Sequence, residues 1–373
     1  MRARLIVACL AALVVVPAAH AAVPTVDARA YFVLDATTGT VLAAKNADEQ
    51  LPIASITKLM TVIVALHRHV PLNELVTVRR PAAEVGESTI HLRAGERISI
   101  GDLLKAALIQ SANDAADAIA DWSGPGEAAF VARMNTTAQA DGLSRTHFAR
   151  PDGLDAPGHV STARDVTRLA QLAMQIPIVR AIVRQRAAHI AGGRTLHTWN
   201  DLLGEFRGLD GVKTGHTGGA GWCEVAEVKR DGLDVYATVL GSPTRGQRNA
   251  DLAALLRWAL SIERPTWVIA PGRVYLRIPT PYGRSAIPLV PARGVVRPVR
   301  VDRTLVERVV APDAISLPVR RGEALGEVRV YERGRIVARQ PLVAARGASA
   351  PGVVGRVGFY ARRTFAHVGK WFT

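Results

Sequence analysis

The chain has 373 residues, 49% of them apolar and 21% charged, with a formal net charge of +15. At roughly 150 residues per domain this length calls for two or three packed cores, and the composition excludes a disordered tail, a collagen-like fibre and a multi-span membrane protein. Residues 22–264 carry 26 basic against 26 acidic side chains, whereas 265–373 carry 19 against 6. A neutral body with a basic end implies a catalytic or binding module joined to a surface-seeking one. Anionic lipid or wall polymer is as good a partner for such an end as nucleic acid.

Arg2 and Arg4 precede an apolar run from Leu5 to Val16, then Pro17 and the small-residue triplet Ala19-His20-Ala21. This pattern is a secretory signal over residues 1–21, and the run is too short for the ~20 residues that cross a bilayer. Its removal leaves Cys223 as the one cysteine, so the exported protein forms no internal disulfide and rests on its core.

The stretch Ala28–Lys45 alternates around a Thr38-Gly39 turn and predicts a β-hairpin. From Ser55, the residues Ile56, Leu59, Met60, Ile63, Val64 and Leu66 give an apolar helical face. Helices are predicted over Asp102–Gln110 and Asp114–Trp122, separated by the tight turn Ser111-Ala112-Asn113, and again over Phe130–Gly142 and Ser161–Gln175. Strands return at Leu209–Gly215, Trp222–Lys229 and Val235–Leu240, with a turn at Asp231-Gly232, and a helix over 248–262 closes the unit. Strands at both ends with helices between them imply an α/β domain, 22–264, whose terminal strands share one antiparallel sheet beside a helical cluster.

After Pro265 the texture becomes Val/Arg/Pro-rich with short alternating runs, which predicts a small all-β sandwich over 265–346. Residues 347–352 read as a linker to a terminal helix. On its projection Val353, Val357, Tyr360, Thr364, Val368 and Trp371 form one stripe, Arg356, Arg362, Arg363 and Lys370 lie on the other side, and Phe359 falls off the stripe. A basic amphipathic helix of this kind lies in a membrane interface instead of spanning it. With export and this tail, an anionic bilayer is a better partner than nucleic acid.

Three local motifs carry chemistry. Ser55-Ile56-Thr57-Lys58 opens a helix with a hydroxyl at its positive end and an amine one turn on; a serine needs a base, and a desolvated lysine can serve. Of 47 basic residues 41 are arginine and six lysine, so the chain uses arginine for plain charge. Arginine cannot surrender its proton in a protein and lysine can. Two of the six, Lys58 and Lys213, sit in motifs. Lys213-Thr214-Gly215 ends a predicted strand amid glycines that permit close approach of a substrate backbone, and Ser111-Ala112-Asn113 supplies a second hydroxyl and a carboxamide. The ten histidines form no metal-binding run, so neither metal nor other cofactor is expected, and Cys223 reads as a small core residue.

This ordered set resembles the low-molecular-mass penicillin-binding proteins that are D-alanyl-D-alanine carboxypeptidases, serine peptidases of peptidoglycan synthesis with a β-lactamase/transpeptidase-like domain followed by a small β domain. Pro52–Thr61, Ile109–Ala115, Asp152-Gly-Leu-Asp155 with Ser161–Asp165, and Asp210–Thr217 carry the likeness. The resemblance implies that Ser55 attacks the carbonyl between two terminal D-alanines of a stem peptide, giving an acyl-enzyme that water hydrolyses, and that β-lactams acylate the same serine. It further implies Lys58 as base, Ser111 as proton donor to the departing D-alanine and Asn113 as holder of the substrate amide. Lys213 supplies fixed charge, Thr214 and Gly215 line the binding strand, and the backbone N–H groups of Ser55 and His216 form the oxyanion hole. Arg248 is the candidate for the free carboxylate, with Arg245 close enough to compete. A D,D-endopeptidase, a serine β-lactamase and an inactive wall- or membrane-binding protein are the alternatives. The expected location is the periplasm or outer face of the cytoplasmic membrane, held there by the C-terminal helix.

Overall fold

A computed structural model describes residues 5–8, 22–67, 71–230, 232–300 and 303–369. The chain divides into two compact units, one spanning Ala21–Ile262 and one made of Glu263–Thr373 with the stretch Met1–His20.

In the first unit β1 (Ala30–Asp35) and β2 (Thr40–Lys45) form the N-terminal hairpin. The strands β3 (Leu209–Thr217), β4 (Gly221–Arg230) and β5 (Leu233–Ser242) form a later meander, and the five-stranded sheet runs β2-β1-β5-β4-β3. The register pairs Ala237 of β5 with both Val33 and Ala226, so the two ends of the unit close on one another through β5. The turn residue Asp231 lies outside the described residues.

Besides a short helix over Arg80–Glu84, the main helices are α1 (Lys58–Leu66), α2 (Ile100–Lys105), α3 (Asn113–Trp122), α4 (Glu127–Ala140), α5 (Ala163–Gln175), α6 (Pro177–Val183) and α7 (Arg245–Ile262). Val235, Ala237 and Val239 of β5 pack with Leu252, Leu255, Leu256 and Ala259 of α7, while Tyr236 and Leu240 turn to the helical cluster on the opposite face. The two-residue period of a strand thus feeds two cores, each aliphatic side chain contributing about 1.5–3 kcal/mol on burial. Helix α1 is buried from Lys58 through Ala65 and forms the axis of the cluster. Ser99 and Thr162 cap α2 and α5 by accepting the backbone N–H of Asp102 and Asp165, at 3.1 and 3.0 Å.

Some local details differ from the sequence expectation. Ser55 lies in a 3₁₀ turn, Ala54–Thr57, ahead of α1. The helix expected over Asp102–Gln110 starts at Ile100 and its last turn, Ala106–Gln110, is a π segment that delivers Ser111 into the left-handed region at φ 65°. The helix α6 and the hairpins Leu75–Thr77/Arg97–Ser99 and Ala187–Ile190/Arg194–His197 are too short to show a period in the sequence.

In the second unit β6 (Glu263–Ile269) pairs with β9 (Val295–Arg300). A six-stranded sheet contains β7 (Leu276–Ile278), β8 (Ile287–Pro291), β10 (Leu305–Pro312), β11 (Ala324–Glu332) and β12 (Arg335–Ala344). Its order is Leu5–Ala8, β10, β11, β12, β8, β7. Val268 and Ile269 of β6 share one core with Leu289, Val309, Val328, Val330 and Leu342 of the larger sheet. The export signal expected over residues 1–21 falls mostly outside the described residues; Leu5–Ala8 forms the strand beside β10. The stretch read as a linker is tied to the body through a reciprocal backbone pair between Val319 and Ala348.

The terminal helix α8 (Val353–Gly369) leaves Val353, Val354, Val357 and Tyr360 exposed, and rests through Phe359 on Tyr282, ring centroids 5.8 Å apart. Lys370 and Trp371 lie outside the described residues.

Candidate active site

Three chain segments meet at one cleft of the first unit: the 3₁₀ turn before α1, the turn between the π segment and α3, and the end of β3. The cleft is lined by Ser55, Ser111, Asn113, Thr214, Gly215, His216 and Arg248, with Glu87, Ser88, Trp199 and Trp222 completing the wall. Glycine at 215 is a packing requirement: a Cβ there would lie 2.7 Å from the Ile53 carbonyl and 3.1 Å from the Ser55 nitrogen. Gly153, at φ +85°, lets the Asp152 loop press on the same turn, where a Cβ would come within 2.2 Å of the Ala54 carbonyl.

Lys58 is fully buried, and its Nζ donates to Ser55 Oγ at 2.8 Å, Asn113 Oδ1 at 2.7 Å and the Asp152 carbonyl at 2.6 Å. Burial lowers its pKa to about 8 against the opposing pull of Asp152, Asp117, Asp114 and Glu87. In the neutral amine, two N–H bonds satisfy the Asn113 and Asp152 oxygens, so the lone pair is left for the Ser55 hydroxyl proton. A hydroxyl facing an amine lone pair is an activated nucleophile.

Lys213, also buried, donates to Ser111 Oγ at 2.8 Å and to the Thr214 carbonyl at 2.9 Å. Burial and the neighbouring Lys58 push its pKa well below the usual lysine value. The two lysine–hydroxyl pairs face one cleft, and Asn113 is held by donating from Nδ2 to the Gly86 carbonyl at 2.9 Å.

Arg248, 1% exposed, has its Nε 3.0 Å from the carboxylate of the fully buried Glu224, and Nη2 donates to Asp201, the Trp199 carbonyl and Asn249. Nη1 is the guanidinium nitrogen left over by these contacts. Arg245 is held by Asp201 and lies over the Trp199 ring, and it does not line the cleft. Of the two competing arginines, Arg248 lines the cleft onto which Ser55 opens. His216 stands on the rim with its ring stacked on Trp222, centroids 4.0 Å apart.

Sequence reasoning gave no role to several groups that hold this geometry. Burial raises the Glu224 carboxyl to about 7, against the pull of Arg248; the residue lies opposite Thr214 across the sheet. Burial is the strongest influence on Asp152 and would raise it, but the paired Arg150 contacts at 3.0 and 2.7 Å, the Leu154 N–H and the Lys58 charge together hold the carboxyl below the usual carboxylate range. Asp114 braces the Ile90–Leu92 backbone by accepting both N–H groups. Burial lowers His159 to about 4; its Nδ1 accepts from Ala149, so the neutral ring donates from Nε2 to Thr57 Oγ1 at 2.7 Å. Glu224 and His159 stand in no recognisable spacing, and Asp114 and Asp152, although inside segments that carry the family likeness, act across a large sequence gap or from a backbone carbonyl. The Cys223 thiol, buried and pushed up to about 12 by that burial, is a core group.

A helix-flanked antiparallel sheet with a serine and a buried lysine at a helix entrance, faced by a second lysine–serine pair, defines a class: serine acyl-transfer enzymes of the penicillin-binding type. A model of the D-alanyl-D-alanine carboxypeptidase family matches residues 17–244, and the chain belongs to that family. It is 32% identical over 372 residues to the D-alanyl-D-alanine carboxypeptidase DacC of Escherichia coli, covering 94% of this chain and 92% of that protein. It is 34% identical over 258 residues to a D-alanyl-D-alanine endopeptidase of Pseudomonas aeruginosa, covering 65% of this chain and 80% of that one. Penicillin binding protein 5 of Haemophilus influenzae superposes with a TM-score of 0.66 at 25% identity, covering 88% of this chain and 99% of that structure.

Proposed function

We propose that the protein removes the terminal D-alanine from peptidoglycan stem peptides through an acyl-enzyme on Ser55. Family membership supports the activity, and the contact between Ser55 and the buried amine of Lys58 carries the assignment of the nucleophile.

In the first step Lys58 takes the Ser55 proton as Oγ bonds to the carbonyl carbon between the two D-alanines. Collapse of the tetrahedral adduct breaks the peptide bond, and Ser111 passes a proton to the leaving amine, replenished through Lys213 and Lys58. Water then attacks the ester with Lys58 again as base and restores the serine. The backbone N–H groups of Ser55 and His216 hold the oxyanion. Arg248 and Thr214 receive the free carboxylate of the terminal D-alanine.

Incubation with benzylpenicillin should add one penicilloyl mass per chain, mapped to the peptide containing Ser55, and a D-Ala-D-Ala peptide should release D-alanine. Adduct at another residue, or rapid turnover of penicillin without D-alanine release, refutes this reading.

The site of action we propose is the outer face of the cytoplasmic membrane, with α8 as the anchor. Its outward apolar side chains and basic residues support this. Truncation before Gly352 should release the protein from washed anionic vesicles while soluble activity stays within about twofold; retention of the truncated protein contradicts it.

A further inference from the structure

The outer face of the C-terminal sheet carries an arrangement that the cleft chemistry does not use. The register sets Arg308 of β10 directly opposite Arg329 of β11, and Arg329 directly opposite Arg339 of β12. Direct cross-strand partners share a face, and strands lie about 4.8 Å apart, so three guanidinium side chains start from a row roughly 10 Å long. The next row on one side is Val306, Tyr331 and Ile336, and on the other Val310, Glu327 and Pro341. Val309, Val328, Val330 and Ala338 take the inner face, so the arginine row points outward, with Arg308 and Arg339 exposed.

Like charges directly opposite one another destabilise a sheet. Glu327, the one acid in these three rows, is paired with Arg329. Arg308 lies over the Tyr331 ring at 5.0 Å, and neither it nor Arg339 has an acidic partner among the described residues. An anion spanning the row removes the repulsion. Each guanidinium offers a rigid fork of donors matched to carboxylates, and Tyr331 offers an apolar ring beside them. Beside the guanidinium row the face exposes the short apolar side chains Val306 and Ile336, far less than the continuous stripe that carries an interfacial helix below lipid headgroups, which favours a polymer lying across the strands over a bilayer.

We propose that Arg308, Arg329 and Arg339 form a binding surface for the carboxylate-bearing glycan–peptide polymer of the bacterial wall. This rests on reading the cleft as a carboxypeptidase site, because the polymer is then the carrier of its substrate. Holding the polymer raises the local concentration of stem-peptide ends, so the surface acts on turnover of insoluble wall and not on turnover of a free peptide.

The test is co-sedimentation of the full chain with purified insoluble peptidoglycan, beside vesicles containing anionic phospholipid. Wild-type protein and Ser55→Ala should both sediment with the wall polymer, and added salt should weaken this binding. The triple variant Arg308→Gln, Arg329→Gln, Arg339→Gln should lose at least tenfold in that affinity. It should melt no lower than wild type, hydrolyse a soluble D-Ala-D-Ala peptide at the same rate, and release less D-alanine from insoluble wall. The corresponding triple lysine variant, which keeps charge without the fork, should fall between the two. Equal sedimentation of wild type and the glutamine variant, or loss of vesicle binding with unchanged polymer binding, overturns the proposal. Arginine-dependent sedimentation of a wild-type protein that releases no D-alanine would sink the carboxypeptidase reading and leave this surface standing.

Discussion

In the Ala21–Ile262 unit the two cleft lysines are buried, and each amine is held by hydroxyl and carbonyl oxygens within 2.9 Å. In the Glu263–Thr373 unit the row Arg308–Arg329–Arg339 is carried on the outer face of a sheet. The two cation types answer different physical demands. Burial of a lysine lowers its pKa into a range where it exchanges protons; an arginine stays charged and suits a face whose task is to attract. Two of the chain's six lysines thus stand where a proton must move, and its many arginines serve where only charge is needed.

That contrast breaks most sharply at the nucleophile. Ser55→Ala should abolish both the penicilloyl adduct and D-alanine release, read by intact mass and an amino-acid assay. Replacing the cleft lysines by arginine sharpens the comparison. Lys58→Arg keeps the charge and removes the base, so acylation should fall by roughly 10²–10⁴. Lys213→Arg should cost less, about 10- to 100-fold, the worth of a hydrogen bond to a charged group. Little or no loss at either position would mean that charge alone matters at both.

The pH dependence has a fixed sign. Lys58 must be neutral to act, and its pKa is lowered to about 8, so the second-order acylation rate should climb through that region. It should fall about tenfold per unit well below it. Stopped-flow acylation by a β-lactam reads this directly; a profile flat from pH 5 to 9 excludes Lys58 as the base. Arg248→Lys should raise KM for a D-Ala-D-Ala peptide by roughly tenfold with a smaller change in kcat, because a point charge replaces the fork at the carboxylate.

Gly153→Ala is read first as a loss of stability: a Cβ 2.2 Å from the Ala54 carbonyl in a left-handed backbone must displace the Asp152 loop or the turn that carries Ser55. A loss of about 2 kcal/mol corresponds to a fall in Tm of roughly 4–8 °C by calorimetry.

How much of this was legible in the sequence follows from how far each feature reaches. The hairpin, the meander and the long helices were legible because their patterns repeat within ten or so residues. Ser55, Lys58, Ser111 and Lys213 were legible because motif order survives without coordinates, and the scarcity of lysine marked two of them. Glu224, Trp199 and the Asp152 carbonyl were not legible as parts of the cleft. Their partners, Arg248 and Lys58, lie in other segments and no local spacing records the contact. The π segment before Ser111 was hidden because its residues suit an ordinary helix equally well. The arginine row was hidden for a related reason: 308, 329 and 339 become neighbours only through strand register.

A neutral lysine facing Ser55 is directly measurable, because the chain has only six lysines. With lysine labelled at Cε, a heteronuclear NMR titration of the full chain should resolve a resonance that titrates near pH 8 and is absent from the Lys58→Arg variant. If the resonance lost in that variant titrates above pH 10, the amine is an ordinary solvated cation and the account of Ser55 activation is wrong.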